Sequence, residues 1–273
     1  MHSTAGIDRT VERLLHRDRQ VVLAGLFLIT GLAWLYLYYL TLQMGMAPTE
    51  TGQAGAMAMP MSDMVKLAPW TPTDAVFMFL MWAIMMAGMM IPSVTPMVLL
   101  YARVVRHNAK DAEPLVHSGA FFAGYIIVWT FFSAGATGLQ WGLEQAALLS
   151  PMMVSNSSIF AGLVLLVTAI YQWTPFKDAC LARCRSPVWF LSTYWQDGAS
   201  GAFRMGLSHG GYCLGCCWSL MLLLFVGGVM NLLCVAAITI FVLIEKVTPW
   251  GRGIGRAGSI LLGLAGIVLL MDL

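Results

Sequence analysis

Long apolar runs without charged residues constrain the fold of this chain more than any other feature. Several of them approach or exceed the roughly 20 residues that an α-helix needs to cross a bilayer. Of the 273 residues, 59% are hydrophobic and only 10% are charged, whereas about a quarter of the residues of a soluble domain carry charge. The composition therefore predicts an all-α, multi-pass transmembrane helix bundle.

The apolar runs predict about seven helices. The longest run, 205–246, would be about 63 Å long as one helix, twice the ~30 Å thickness of the hydrocarbon layer. We divide it at Gly227 and Gly228, where a tight turn costs little. The other predicted spans are 21–42, 75–101, 118–140, 158–176 and 255–271.

The basic residues predict the orientation of these helices. With a cytoplasmic N-terminus, seven spans leave 14 of the 15 Lys and Arg residues in cytoplasmic segments and only Lys66 outside. This matches the positive-inside rule. A six-helix alternative would move the basic segment 246–256 outside, so we predict a cytoplasmic N-terminus and an extracytoplasmic C-terminus. Glu245 and Lys246 are expected to form an ion pair at the interface.

The chain is predicted to have four parts. Residues 1–20 form a basic cytoplasmic segment, and 21–42 form the first transmembrane helix. Residues 43–74 form a methionine-rich extracytoplasmic linker, and 75–273 form a six-helix metal-binding membrane domain.

One imidazole and several thiols share a face of the predicted fifth helix. Because successive helix residues turn by about 100°, His209, Cys213 and Cys216 fall within about 60° of one another, with Cys217 beside them. Such groups are ligands for soft metals, and polar groups at membrane depth mark functional sites. Inert packing is the alternative for any single membrane cysteine. The predicted metal ligands are His209, Cys213, Cys216, Cys217, and, from a short interfacial helix on the same side of the membrane, Cys180 and Cys184; Met230 and Cys234 are a weaker, secondary pair.

Methionine is concentrated in one part of the chain, with 13 of the 20 residues between Met44 and Met97. A solvated linker does not need methionine for packing, and thioethers are soft ligands that select Cu(I). In the second helix, four methionines share a face about 80° wide, although methionine also serves as packing filler between helices. We interpret these residues as a candidate metal relay, formed by Met44, Met46, Met57, Met59, Met61 and Met64 in the linker and Met78, Met81, Met85 and Met89 in the helix.

Five motifs stand out in the chain: Met81–Ser93, the pair Cys180 and Cys184, His209–Trp218, Gly228–Asn231, and Glu245 with Lys246. Together they resemble the DUF2182 family, which is described as predicted metal-binding integral membrane proteins of bacteria. The resemblance covers most of 75–272 and leaves the methionine-rich linker outside. It implies a metal-binding membrane fold and a multi-pass location in the bacterial inner (cytoplasmic) membrane.

These features predict a membrane protein that binds copper, as Cu(I), for transport or for delivery to a cuproenzyme. Zinc also fits a Cys/His ligand set. The expected partners are the lipid bilayer, the metal ion, and a metallochaperone or cuproenzyme. Nucleic acid is discounted because the chain has no basic block or nucleic-acid motif. We expect a binding protein rather than an enzyme.

Two other functions stay open. A membrane thiol-disulfide oxidoreductase could use Cys213 and Cys216, whose spacing fits a redox pair, although the predicted cytoplasmic side keeps thiols reduced. A copper oxidase or monooxygenase, or an assembly factor for one, usually needs more histidines than this helix offers.

Overall fold

The computed structural model of the protein describes residues 4–45, 70–108, 114–149 and 153–271. Within these ranges the regular structure is helical, apart from one isolated β-bridge between Leu149 and Ser155, which confirms the predicted all-α class. The helices are α1 (Thr4–Gly45), α2 (Pro72–Asn108), α3 (Pro114–Gln145), α4 (Ser158–Tyr171), α5 (Pro175–Arg185), α6 (Pro187–Tyr194), α7 (Gly198–Leu222), α8 (Leu224–Gly227), α9 (Leu232–Val247) and α10 (Gly251–Met271).

Five helical segments in the described ranges are long and apolar enough to cross a membrane. A sixth span results if α4 and α5, which meet at a 66° bend, count as one. Helix α9 has 16 residues, or about 24 Å, and is short for a layer of ~30 Å. The helices are consistent with a multi-pass membrane protein, whereas seven spans and the orientation of the termini stay predictions. The five segments are Gln20–Gln43, Pro72–His107, Pro114–Gln145, Gly198–Gly227 and Gly251–Met271.

The long apolar run 205–246 breaks at the predicted glycine pair. Helix α8 ends at Gly227, and Gly228 has a φ of +94°, a backbone conformation that side chains with a Cβ rarely adopt. Asn231 then caps α9, because its side chain accepts hydrogen bonds from the backbone N–H groups of Leu233 and Cys234. The turn therefore returns α9 alongside α7.

Small residues bring α3 and α7 into close contact. Gly206 of α7 lies against the backbone of Phe121, and Gly124 of α3 lies against the backbone of Phe203. A Cβ at either glycine would overlap a carbonyl oxygen of the facing helix. Close approach through small residues is common in membrane bundles, and here it brings α3 side chains next to the cysteines of α7.

Helix α2 runs through the interior of the bundle. Trp82, Met85, Met86 and Met90 are fully buried along it. Helix α1 covers one side of α2, where the indole Nε1 of Trp34 donates to the carbonyl oxygen of Gly88. The second-helix methionines therefore belong to the core and do not face lipid as a group.

Candidate metal centre

Four thiols from two helices meet inside the bundle. The buried Cys213, Cys216 and Cys217 project from α7, and Cys184 reaches them from α5. The Sγ atoms of Cys216 and Cys184 are 3.9 Å apart. Cys213 and Cys217 lie next to Cys216 on the same side of α7. We call Cys184, Cys213, Cys216 and Cys217 the thiol cluster; sequence periodicity predicted all four.

The positions of the Cys216 and Cys217 side chains follow from hydrogen bonds within α7. The Sγ atoms of Cys216 and Cys217 each lie 3.0 Å from the carbonyl oxygen of Cys213 and donate to it, one turn earlier on the helix. This contact turns both side chains back along the helix. The sulfur atoms of Cys216 and Cys217 consequently lie beside the backbone of Cys213 without any contribution from a loop.

Cys180 lies at the edge of the thiol cluster, one turn before Cys184 on α5. It is buried against α7 at Gly215, where a Cβ would come within 2.8 Å of its Sγ. The glycine therefore permits the close approach of α5. The predicted convergence of the α5 and α7 cysteines agrees with these contacts.

His209 lies in a different environment from the thiols. Its ring is buried among Phe121, Tyr125 and Phe190, with ring-centre distances of 5.9, 6.0 and 5.1 Å. Its Nδ1 atom is buried and has no hydrogen-bond partner among the described residues. No described group of three or more His, Cys, Asp or Glu residues has the geometry of a metal site. The predicted ligand set, His209 included, therefore stays a prediction.

The secondary pair, Met230 and Cys234, is remote from the thiol cluster. Cys234 is partly buried, and its Sγ lies against Gly227 at the turn before α9. Lys246, which contacts the cluster, is twelve residues further along α9, or about 18 Å. The structure does not bring this pair to the other candidate ligands.

A buried lysine and a buried tyrosine complete the surroundings of Cys213. The Nζ of Lys246 lies 2.9 Å from the Sγ of Cys213 and 3.4 Å from the Oγ of Ser93. The hydroxyl of Tyr125 lies 3.0 Å from the same sulfur and 3.3 Å from the carbonyl oxygen of Met90. Sequence reasoning missed Lys246, although a cation near the end of an apolar helix was a usable signal.

The expected ion pair between Glu245 and Lys246 is wrong. Glu245 instead forms a buried ion pair with Lys177 of α5, and both side chains are 2% exposed. Neighbouring residues of a helix point in different directions, so these two side chains serve different contacts. Two of the fourteen cations used to predict the orientation, Lys177 and Lys246, are thus inside the bundle.

The Lys177–Glu245 pair helps to fix the position of α5. Helix α10 packs over the pair at Gly255, where a Cβ would overlap the Glu245 carboxylate. The Arg185 guanidinium donates to the carbonyl oxygen of Thr248 at the end of α9. Contacts at both ends of α5 therefore hold its cysteines against α7.

The predicted methionine face of α2 lies in the core. Met81, Met85 and Met89 are buried, and Met78 is partly buried. The face leads toward Met90, whose carbonyl oxygen accepts from Tyr125 beside the thiol cluster. Burial agrees with a relay and also with packing, so the relay stays a prediction. Of the linker candidates, Met46, Met57, Met59, Met61 and Met64 lie outside the described residues, as does the side chain of Met44.

Comparison with known proteins identifies a family. The model of the PpoB2 family, described as copper chaperone, matches residues 79–269. That range includes most of α2 and all of the thiol cluster, and it overlaps the region that resembles DUF2182, a name that this match does not itself supply. No curated protein and no solved structure matches the chain. The match covers more than half of the sequence and supports the predicted copper-related function, so the chain belongs to the PpoB2 copper chaperone family.

Proposed function

We propose that the protein is a multi-pass membrane protein of the bacterial inner membrane that binds Cu(I) at the thiol cluster and passes it to a cuproenzyme or metallochaperone. The observation that carries the proposal is the approach of Cys184 on α5 to Cys216 on α7, where Cys213 and Cys217 are also buried in an apolar bundle. Thiolates are soft ligands that select Cu(I), and the family match to copper chaperones points to the same metal.

The charge of the surroundings favours a monovalent ion over zinc. Lys246 supplies a buried positive charge 2.9 Å from the Cys213 sulfur. A dication next to this ammonium would meet stronger repulsion than Cu(I) in a medium of low dielectric constant.

The methionine face of α2 supports a path for the ion. Its thioethers lie in the bundle interior and approach the level of Ser93 and Cys213. Thioethers bind Cu(I) without ionising, whereas thiolates add negative charge, so affinity should rise toward the thiol cluster. An ion that enters at the Met78 end would therefore collect at the cysteines.

The test is metal content by mass spectrometry, on full-length protein purified in detergent from cells with balanced trace metals. Wild-type protein should contain about one copper per chain, and the Cys213→Ser/Cys216→Ser variant should contain almost none. Cys234→Ser is the matched control, because it makes the same change about 18 Å along α9 from Lys246 and should keep the copper. Equal copper in the double variant would reject the thiol cluster as the site.

One contact favours a thiol-disulfide oxidoreductase as a second candidate. The Cys184 and Cys216 sulfur atoms are 3.9 Å apart, so a small movement could bring them to the ~2.05 Å of a disulfide. Spacing suggested Cys213 and Cys216 as the redox pair. In the structure, the Cys216 thiol donates to the carbonyl oxygen of Cys213 and not to its sulfur, so the candidate pair is Cys184 and Cys216. Thiol trapping with and without quinone tests this function. The copper oxidase alternative gains no support from the described residues, because His209 is enclosed by aromatic rings.

A further inference from the structure

A second group of donor atoms surrounds the opposite end of the methionine face. Gln140 of α3 is fully buried, and its Nε2 donates to Oε1 of Glu144 at 2.9 Å and to Sδ of Met78 at 3.7 Å. The indole of Trp82 donates to Oε1 of Gln140, and the indole of Trp70 donates to Oε2 of Glu144, both at 2.7 Å. The amide and the carboxylate are thereby held in fixed orientations.

The Nε2 group of Gln140 lies between two groups that can also act as ligands for a soft monovalent cation. An amide N–H group carries partial positive charge, and here its acceptors are a thioether and a carboxylate. The thioether is a soft ligand that selects Cu(I), and the carboxylate would neutralise its charge. Met81 lies on the same face of α2 as Met78, is buried, and is the next thioether along the helix.

The electrostatics of the α3 terminus point in the same direction. Glu144 lies in the last turn of α3, which ends at Gln145, and the helix dipole makes that end negative. A carboxylate at this negative end destabilises the helix through like-charge repulsion. A cation bound there is stabilised by both the carboxylate and the helix dipole. Asp74, near the start of α2, differs because it is exposed and accepts hydrogen bonds from the backbone and hydroxyl of Thr71.

Glu144, at the end of α3, is partly exposed, so the donor group can be reached from outside the bundle at this residue. An open cleft of about 360 Å³ lies between the start of α2 and the end of α3. Its lining includes Trp70, which holds Glu144, as well as Thr137 and Trp141 of α3. An ion from this side would first meet the Glu144 carboxylate and would then have to displace the buried amide of Gln140.

We propose that Glu144 and Met78, with Met81 next along α2, form a loading site for Cu(I) at the position of the Gln140 amide. This inference rests on the proposed function, because Cu(I) bound at this site would enter the methionine face here and reach the thiol cluster along it. Met78 and Met90 are twelve residues apart on α2, so the two sites are separated by about 18 Å. The ion moves by ligand exchange and keeps its oxidation state.

The test uses Ag(I), a redox-stable probe for Cu(I), and full-length protein labelled with methyl-13C methionine. The thiol cluster is disabled by Cys213→Ser/Cys216→Ser, and the methyl resonances are assigned with Met78→Leu and Met81→Leu. Silver should shift the Met78 and Met81 resonances, and Glu144→Gln should weaken that response about tenfold, since it removes one full charge next to the ion. Asp74→Asn, the matched loss of a carboxylate at the same end, should leave the response unchanged.

The result that would overturn the loading site is a Met78 response of the same strength with Gln at position 144, or no Met78 response at all. The Glu144→Gln change keeps an acceptor for Trp70 and a partner for Gln140, so folding should survive. With the cysteines intact, Glu144→Gln should slow silver loading of the thiol cluster and leave its final stoichiometry unchanged. A cluster that binds no metal would contradict the proposed function, while the Met78 response would still decide the loading site.

Discussion

At the residue scale, side chains of three helices meet at one sulfur atom, because the Tyr125 hydroxyl of α3 and the Lys246 ammonium of α9 both contact the Sγ of Cys213 on α7. Cys213, Cys216 and Cys217 share a face through helix periodicity alone, and the same spacing pairs Cys180 with Cys184. Lys246 enters the same space from α9, and periodicity within one helix says nothing about which residue of another helix it meets. Periodicity also placed His209 on the face of the cysteines. It could not predict that aromatic rings from α3 and α6 would surround the imidazole.

Lys246 is predicted to control which metal the thiol cluster accepts. Lys246→Met removes the buried positive charge beside Cys213 and with it the repulsion of a dication. The ratio of zinc to copper in the purified variant should rise about tenfold. Lys246→Arg keeps the charge and should stay near the wild-type ratio. Competition between zinc and copper, followed by mass spectrometry, measures this ratio; an unchanged ratio in Lys246→Met would remove the charge argument for Cu(I).

At the element scale, helix boundaries follow from local sequence, and helix contacts follow from small residues. The division at Gly227 and Gly228 was predictable because glycine allows the positive φ that the turn requires. The close contact of α3 and α7 was not, since many glycines lie in both helices and only some face a neighbour. The 16-residue length of α9 also depends on Asn231, whose capping role becomes clear from its hydrogen bonds.

The α3–α7 contact is predicted to be intolerant of one additional methyl group. Gly206→Ala would push a Cβ into the backbone of Phe121, which a flexible side chain cannot relieve, and should cost about 2 kcal/mol or more of unfolding free energy. Gly211→Ala, on the same helix, has no atom within 4 Å of its Cβ and should be neutral or slightly stabilising. Thermal unfolding in detergent compares the two variants. Equal stability would contradict the close packing of α3 on α7.

The buried ion pair between α5 and α9 is predicted to be necessary for stability as a pair. Glu245→Gln leaves the buried Lys177 without its counter-charge and should cost about 3–5 kcal/mol. The double change Lys177→Met/Glu245→Met removes both charges and should recover most of that loss. The same thermal unfolding assay tests this, and a single variant as stable as the wild type would show that the pair does not hold α5.

At the scale of the whole molecule, composition settles the class, while the count of spans depends on geometry. An apolar chain with 10% charged residues predicts a helical bundle, and the described residues are helical as expected. Seven spans were predicted, whereas five long apolar segments are found among the described residues. Two features account for the difference: α4 and α5 meet at a bend, and α9 is short. Burial of Lys177 and Lys246 also shows that a count of cations cannot distinguish a cytoplasmic surface from a polar interior.

In the proposed function, cysteines of α5 and α7 bind copper together. Copper K-edge X-ray absorption of the loaded full-length protein tests it most directly, with Cys184→Ser and Cys234→Ser measured beside the wild type. We predict Cu(I) with sulfur neighbours only, and fewer sulfur neighbours in Cys184→Ser than in the wild type or Cys234→Ser. A copper centre dominated by nitrogen or oxygen ligands, or one that Cys184→Ser leaves unchanged, would contradict the claim.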